Sequence, residues 1–266
     1  MKEKIIKICK NLEKENNIKI IFAVENGSRA WRMSSEDSDY DVRFVFVRPL
    51  EEYIQINKPI NVIQIAFDKY GNKMNAKGSL IDLNGFDVEK FVKMLSDSNP
   101  TAIEWLMTDI VYYGKQNEIF KEFASKNFSK LSLYYHYKSL CKNNYLKYIK
   151  SSNDTTYKRY LYSFRGLINA KWVAHRKSLP PISFQETIEK SQDIIDPEII
   201  KKLIEIIIIK ASGKEKDKIK NISKMDEYID SFLKDDLEVP KEKIIPNLER
   251  LNKELRMIVL GNIQKP

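Results

Sequence analysis

The sequence predicts an α+β fold, a mixed sheet with helices, followed by an all-helical C-terminal domain. Three observations carry this expectation. Apolar, β-branched runs alternate with helical patterns up to about residue 115. Beyond that point apolar residues recur at helical spacing almost throughout. Charge divides in the same place: residues 1–116 hold 17 basic and 17 acidic side chains, whereas residues 117–266 hold 29 and 20 and carry the whole net charge of +9. The expected domains are 1–115 and 116–266, reasonable for 266 residues.

In chain order, Ile5, Ile6, Ile8, Cys9 and Leu12 predict a first helix that Asn16-Asn17 ends. Ile18–Val24 is a strand, and Gly27-Ser28 turns out of it toward a helical turn over Ala30–Met33. Ser34–Ser38 is a polar loop. Tyr40–Val47 alternates, is rich in valine and phenylalanine, and is closed by Pro49, so it is a second strand. Asn61–Phe67 is a third, followed by an irregular connection or weak hairpin over Asp68–Lys77. Ser79–Leu83 is a further short strand, with a turn at Asn84-Gly85. Asp87 caps a helix over Val88–Leu95, and Asn99-Pro100 opens another over Thr101–Met107. Helices are then expected over Phe120–Lys126, Ser132–Lys150, Thr155–His175, Phe184–Lys190, Pro197–Ala211, Lys216–Leu233 and Asn247–Leu260. Ser212–Lys218 is a solvated connector.

Composition removes several classes. No apolar run reaches the ~20 residues that span a bilayer, and the charged start Met1-Lys2-Glu3-Lys4 is unlike a signal peptide. No membrane partner is expected. Cys9 and Cys141 lie far apart, with neither zinc spacing nor a disulfide framework, so a reducing cytoplasm is the expected setting.

The chemistry concentrates in Gly27-Ser28 and Asp39-Tyr40-Asp41. Two carboxylates one residue apart at a strand start point to the same face, with Cα atoms roughly 6.5 Å apart. They repel unless a cation lies between them. Mg²⁺ takes one or two carboxylates together with phosphate oxygens. Gly27 lets backbone approach a phosphate, and the Ser28 hydroxyl and N–H can donate to it. Asp39 and Asp41 are therefore expected to bind Mg²⁺ or Mn²⁺ beside a nucleoside triphosphate (NTP). Such a site transfers a nucleotidyl group to a hydroxyl and expels pyrophosphate. Arg29, beside the turn, is an expected phosphate contact, and Arg43, on the same strand face, an expected ion-pair partner of the aspartates.

This stretch resembles the DNA polymerase beta-type nucleotidyltransferase superfamily, which joins a Gly-Ser pair to Asp-x-Asp on the next strand. Further segments resemble the predicted nucleotidyltransferase family linked to RNA repair: Gly27-Ser28-Arg29-Ala30-Trp31, Asp37-Ser38-Asp39-Tyr40-Asp41-Val42-Arg43-Phe44-Val45, Asp82-Leu83-Asn84-Gly85-Phe86-Asp87, Lys158-Arg159-Tyr160-Leu161-Tyr162 with Arg165, and Ala170-Lys171-Trp172. The resemblance covers most of residues 20–185. It implies a polymerase beta-like catalytic domain, a divalent metal and RNA as a partner. It also implies a third carboxylate on a later strand; Asp82 is the choice, with Asp68 weaker. Two positions depart from the family's pattern: Arg32 stands where a glycine is expected, and Gly166 where a proline is expected.

Residues 123–177 hold 12 basic side chains against one acid, Asp154, and eight of the 14 tyrosines. A basic, aromatic-rich stretch fits a polyanion. Lys158, Arg159 and Arg165 are the expected nucleotide-phosphate contacts. Lys138, Lys142, Tyr145 and Arg176 are the expected nucleic-acid contacts. An acceptor that is a small molecule or protein side chain is the rival enzyme reading. An inactive nucleic-acid-binding homologue is the rival from another class.

Overall fold

The computed structural model describes residues 1–266 apart from 36–37, 76–77, 153, 215–216, 236–238, 241–246 and 262–266. Helix α1 (Lys2–Asn16) forms where the apolar stripe predicts it and buries Ile5, Ile8, Cys9 and Leu12. Asn17 ends it in the left-handed conformation that asparagine tolerates. Strand β1 (Lys19–Asn26) runs into α2 (Gly27–Ala30), a single helical turn. That turn begins at Gly27 and not, as expected, at Ala30. Strand β2 (Tyr40–Val47) has the expected bounds and lies antiparallel to β1, with Asn26 opposite Asp41.

α3 (Leu50–Tyr53) and β3 (Val62–Phe67) follow. β3 forms a short hairpin with β4 (Lys73–Met74), and residues 76–77 of the expected irregular connection lie outside the described residues. β5 (Ile81–Asp87) then runs parallel to β2. The turn expected at Asn84-Gly85 is instead the middle of this strand. Gly85 is there for space, since a Cβ would come within 2.6 Å of Phe44 Cδ2. α4 (Val88–Ser96) starts at its Asp87 cap, α5 (Pro100–Met107) at its Asn99 cap. β6 (Val111–Gly114) and α6 (Glu118–Lys126) come next. The six strands form one mixed sheet in the order β4-β3-β5-β2-β1-β6.

Strand alternation assigns the two faces. Val42, Phe44, Phe46, Ile81 and Leu83 face α1 in one core. Aromatic rings fill the other side, with Phe22 on Phe91, Phe91 on Trp105 and Phe86 on Trp105 at centroid distances of 5.7, 5.9 and 4.8 Å. Asp41, Arg43 and Asp82 alternate with the α1-facing residues and so share the opposite face.

The rest of the chain is mostly helical. α7 (Lys130–Tyr145) continues as a π-helical turn over Leu146–Lys150, so the helix expected over Ser132–Lys150 changes pitch near its end. β7 (Asp154–Thr156) precedes α8 (Tyr157–Arg176). α9 (Phe184–Glu189), α10 (Pro197–Ala211), β8 (Lys218–Lys220), α11 (Ser223–Lys234) and α12 (Glu249–Gly261) complete it. β7 and β8 pair as a two-stranded antiparallel ribbon and are the only strands among the described residues after α6. The helix expected over Lys216–Leu233 is thus β8 and then α11; residues 215–216 of the connector lie outside the described residues. α7 and α8 approach closely at Gly166, where a Cβ would lie 2.6 Å from Cys141 N and 2.8 Å from Tyr137 O. A proline ring there would meet the same backbone.

The chain divides into two compact units, Met1–Ala30 with Asp39–Phe128 and Pro246–Pro266, and Trp31–Ser38 with Ser129–Ile245. This division differs from the expected 1–115 and 116–266 in three places. α6 packs its Phe120 ring 6.0 Å from Phe91 and stays with the first unit. α12 returns to that unit, where Asn117 donates to Glu254 and Arg250 pairs with Glu122. Trp31–Ser38 joins the helical unit because Trp31 packs on α8, its ring centroid 5.5 Å from that of Tyr162. Among the described residues no helix is long and apolar enough to cross a membrane.

Candidate active site

The carboxylates gather where β1 ends and β2 and β5 begin. Asp41 faces Asn26 across one strand boundary and Asp82 across the other. Gly27, next after Asn26, has φ of +63°, and a Cβ there would lie 2.9 Å from Asp41 Cγ. The Asp41 carboxylate therefore fills the space that only glycine leaves. Asp82, expected as the third carboxylate, is the register partner of Asp41. Arg43 joins them: its Nη2 is 3.4 Å from Asp41 Oδ1 and 3.1 Å from Asp82 Oδ2. Asp82 Oδ1 is buried and has no hydrogen-bond partner among the described residues.

Asp39 precedes β2 and is exposed. Its backbone oxygen accepts from Arg29 Nε at 3.2 Å, and the Arg29 guanidinium lies 3.9 Å over the Tyr40 ring. Arg29 thus ties the Gly27–Ala30 turn to the start of β2. Ser28 is buried in that turn. Asp68 is occupied elsewhere, accepting from the N–H groups of Tyr70 and Asn72 at 2.8 Å within the β3–β4 turn. Asp87 caps α4, as expected, and accepts from the Tyr53 hydroxyl at 2.8 Å.

In the helical unit the predicted basic residues separate into packed and accessible groups. Arg165 is buried, with its guanidinium 3.6 Å over the Trp31 ring. Lys158 lies 5.7 Å over Tyr162, next to that stack. Arg159 stacks 3.7 Å over Tyr148, with Lys147 5.0 Å from the same ring. Both cations hold the Tyr148 phenol below its usual range, Lys147 most. Lys138 donates to Asp235 O at 2.8 Å, and Arg176 pairs with Asp193. Tyr145 is buried, its hydroxyl donating to Asp226 O at 3.5 Å. Lys142 is exposed.

A model of the RNA repair pathway DNA polymerase beta family matches residues 1–256. The chain belongs to this family. It is accordingly a nucleotidyltransferase. A relative, the uncharacterized protein YcgL of Bacillus subtilis (strain 168), is 28% identical over 267 residues, covering 100% of this chain and 97% of that protein. Among solved structures, spectinomycin adenyltransferase AAD(9) from Enterococcus faecialis, determined with ATP and spectinomycin, aligns with 88% of this chain and 99% of that one at 16% identity and a TM-score of 0.49. A nucleotidyltransferase-like protein from Exiguobacterium sibiricum 255-15 aligns with 97% of this chain and 88% of that one, at 10% identity and a TM-score of 0.29.

Sequence reasoning passed over one residue that contacts this candidate site, Glu25. It is 1% exposed, and its Oε1 accepts from the Asp41 N–H at 2.8 Å while Tyr112 donates to its Oε2. Burial, above all, pushes its carboxyl up from the ordinary value. The available signal was a lone acid within the apolar run Ile20–Val24 and its continuation.

The donors fit a hard divalent cation in kind, because all are carboxylate oxygens and one of them, Asp82 Oδ1, lacks a partner among the described residues. Among the described residues, however, no three His, Cys, Asp or Glu side chains converge into a metal cage. Arg43 lies against Asp41 and Asp82, while Asp39 stands at the exposed strand start.

Proposed function

We propose that this nucleotidyltransferase moves a nucleoside monophosphate from an NTP to a hydroxyl at an RNA end. The observation that carries the reading is the in-register pair Asp41 and Asp82, with the Asp41 carboxylate seated in the space beside Gly27. The acceptor oxygen attacks the α-phosphorus. The bond from that phosphorus to the bridging oxygen breaks, and pyrophosphate leaves with its electron pair.

Asp39 and Asp41 would hold Mg²⁺ or Mn²⁺, and Asp82 would complete the donor set. When bound, the ion supplies positive charge against the charge developing on the phosphate oxygens. Gly27 and Ser28 hold the β,γ-phosphates through backbone and hydroxyl donors, and Arg29 adds a cation beside them. Asp82 orients the acceptor hydroxyl and takes its proton.

RNA is the acceptor on the strength of the helical unit's charge, 12 basic side chains to one acid over 123–177. Lys142 and Lys147, both exposed, are its phosphate contacts, and Tyr145 is buried. Both cysteines are buried and free, which fits a reducing cytoplasm.

The test is incubation with each α-labelled triphosphate, Mg²⁺ or Mn²⁺ and a mixed RNA pool, followed by sequencing of labelled ends. Label on RNA that EDTA abolishes supports the reading. Label confined to a small molecule or to protein would overturn the RNA acceptor. No label under any condition would favour an inactive RNA-binding homologue.

A further inference from the structure

Arg43 has no part in the reaction just described, yet four acceptors hold it. It leaves β2 two residues after Asp41, on the same face. Nη2 reaches Asp41 Oδ1 at 3.4 Å and Asp82 Oδ2 at 3.1 Å. Nη1 donates to Val42 O at 3.0 Å and Asp82 O at 3.2 Å. The group is only 16% exposed. A guanidinium does not lose its charge in proteins, so a fixed positive charge stands against the two carboxylates at all working pH.

This has two opposed effects. The guanidinium cancels the repulsion between Asp41 and Asp82 and aligns both side chains before any metal arrives. It also repels a divalent cation approaching the same oxygens, and it already occupies Asp41 Oδ1. A bare ion gains little there. An ion that arrives on a triphosphate carries enough negative charge to offset Arg43.

We propose that Arg43 is the resident counter-cation of the carboxylate pair, a positioning residue that keeps the site closed to free metal and open to the metal–triphosphate complex. This rests on the nucleotidyl-transfer reading and adds an order of binding to it.

The test is Mn²⁺ binding by electron paramagnetic resonance, with and without α,β-methylene-ATP. Wild-type protein is expected to bind free Mn²⁺ weakly and to bind it at least tenfold more tightly with the nucleotide analogue. Arg43→Gln is expected to bind free Mn²⁺ about tenfold more tightly than wild type, with the difference shrinking once the analogue is present. Its kcat falls because Asp41 is no longer aligned. Arg43→Lys keeps the charge without the planar fork, so its free-Mn²⁺ affinity stays near wild type while kcat falls.

Free Mn²⁺ binding by Arg43→Gln that is no tighter than wild type overturns the proposal. Should that variant fail to fold, tight binding of free Mn²⁺ by the wild-type protein without nucleotide overturns it equally. Mn²⁺ that binds neither with nor without the analogue removes the metal reading itself, and this proposal with it.

Discussion

Gly27 and Asp41 share one space: the Asp41 carboxylate lies where a side chain at Gly27 would begin, 2.9 Å from Cγ to the position of an added Cβ. The glycine of the Gly-Ser turn thus makes room for Asp41, besides the phosphate role proposed for it. It also adopts φ of +63°, which β-carbon-bearing residues disfavour. Gly27→Ala is expected to displace Asp41 and lower transfer at least ~100-fold, the scale that an ångström of misplacement can cost. Circular dichroism of the variant should stay close to wild type. Undiminished transfer by Gly27→Ala would contradict the shared-space account.

Glu25 holds the Asp41 backbone and is buried, with its carboxyl pushed above the ordinary 4.5. A carboxyl raised in the folded state binds more protons folded than unfolded, so its contribution to stability falls as pH rises above about 4.5. Glu25→Gln lacks this contribution. The stability of Glu25→Gln relative to wild type, from urea unfolding, should therefore be greater at pH 8 than at pH 5. A difference independent of pH would show that Glu25 is not the protonated group.

Arg32 stands where the family's pattern expects glycine, and its φ is +57°. The backbone conformation is one that glycine enters without strain. Arg32→Gly is expected to stabilise the fold slightly, because relief of roughly 1–2 kcal/mol of left-handed strain outweighs an entropy cost for glycine of roughly 0.5–1 kcal/mol, read as a small rise in thermal midpoint. A lower midpoint would mean that the arginine side chain makes contacts worth more than the strain.

Arg165, an expected phosphate contact, is buried with its guanidinium on the Trp31 ring. Such a stack contributes about 0.5–2 kcal/mol, and a lysine replaces it poorly. Arg165→Lys should lower the thermal midpoint while the KM for the triphosphate stays near wild type. A raised KM with unchanged stability would return Arg165 to the phosphate.

How much of this was legible depends on where each determinant lies. β2 could be read to the residue because its alternation is local, and Asp41 came with it. Asp82 could be chosen because it falls within a strand pattern, and its register with Asp41 confirms that Asp82 adjoins it. Asn84-Gly85 misled because glycine also serves close packing, here against Phe44 on another strand. The burial of Arg165 and Tyr145 was not legible for a related reason: their contacts with Trp31 and Asp226 join residues far apart in sequence. The β7–β8 ribbon pairs residues more than sixty apart, and three-residue strands carry almost no periodicity of their own.

The central claim is that the carboxylates at the start of β2, Asp39 and Asp41, drive nucleotidyl transfer. The most direct measurement compares wild type, Asp39→Asn and Asp41→Asn for incorporation of α-labelled nucleotide into RNA with Mg²⁺ present, each variant first shown to be folded by circular dichroism. The account predicts transfer by wild type and a loss of at least ~1000-fold in either variant. Transfer by Asp41→Asn at the wild-type rate would contradict it.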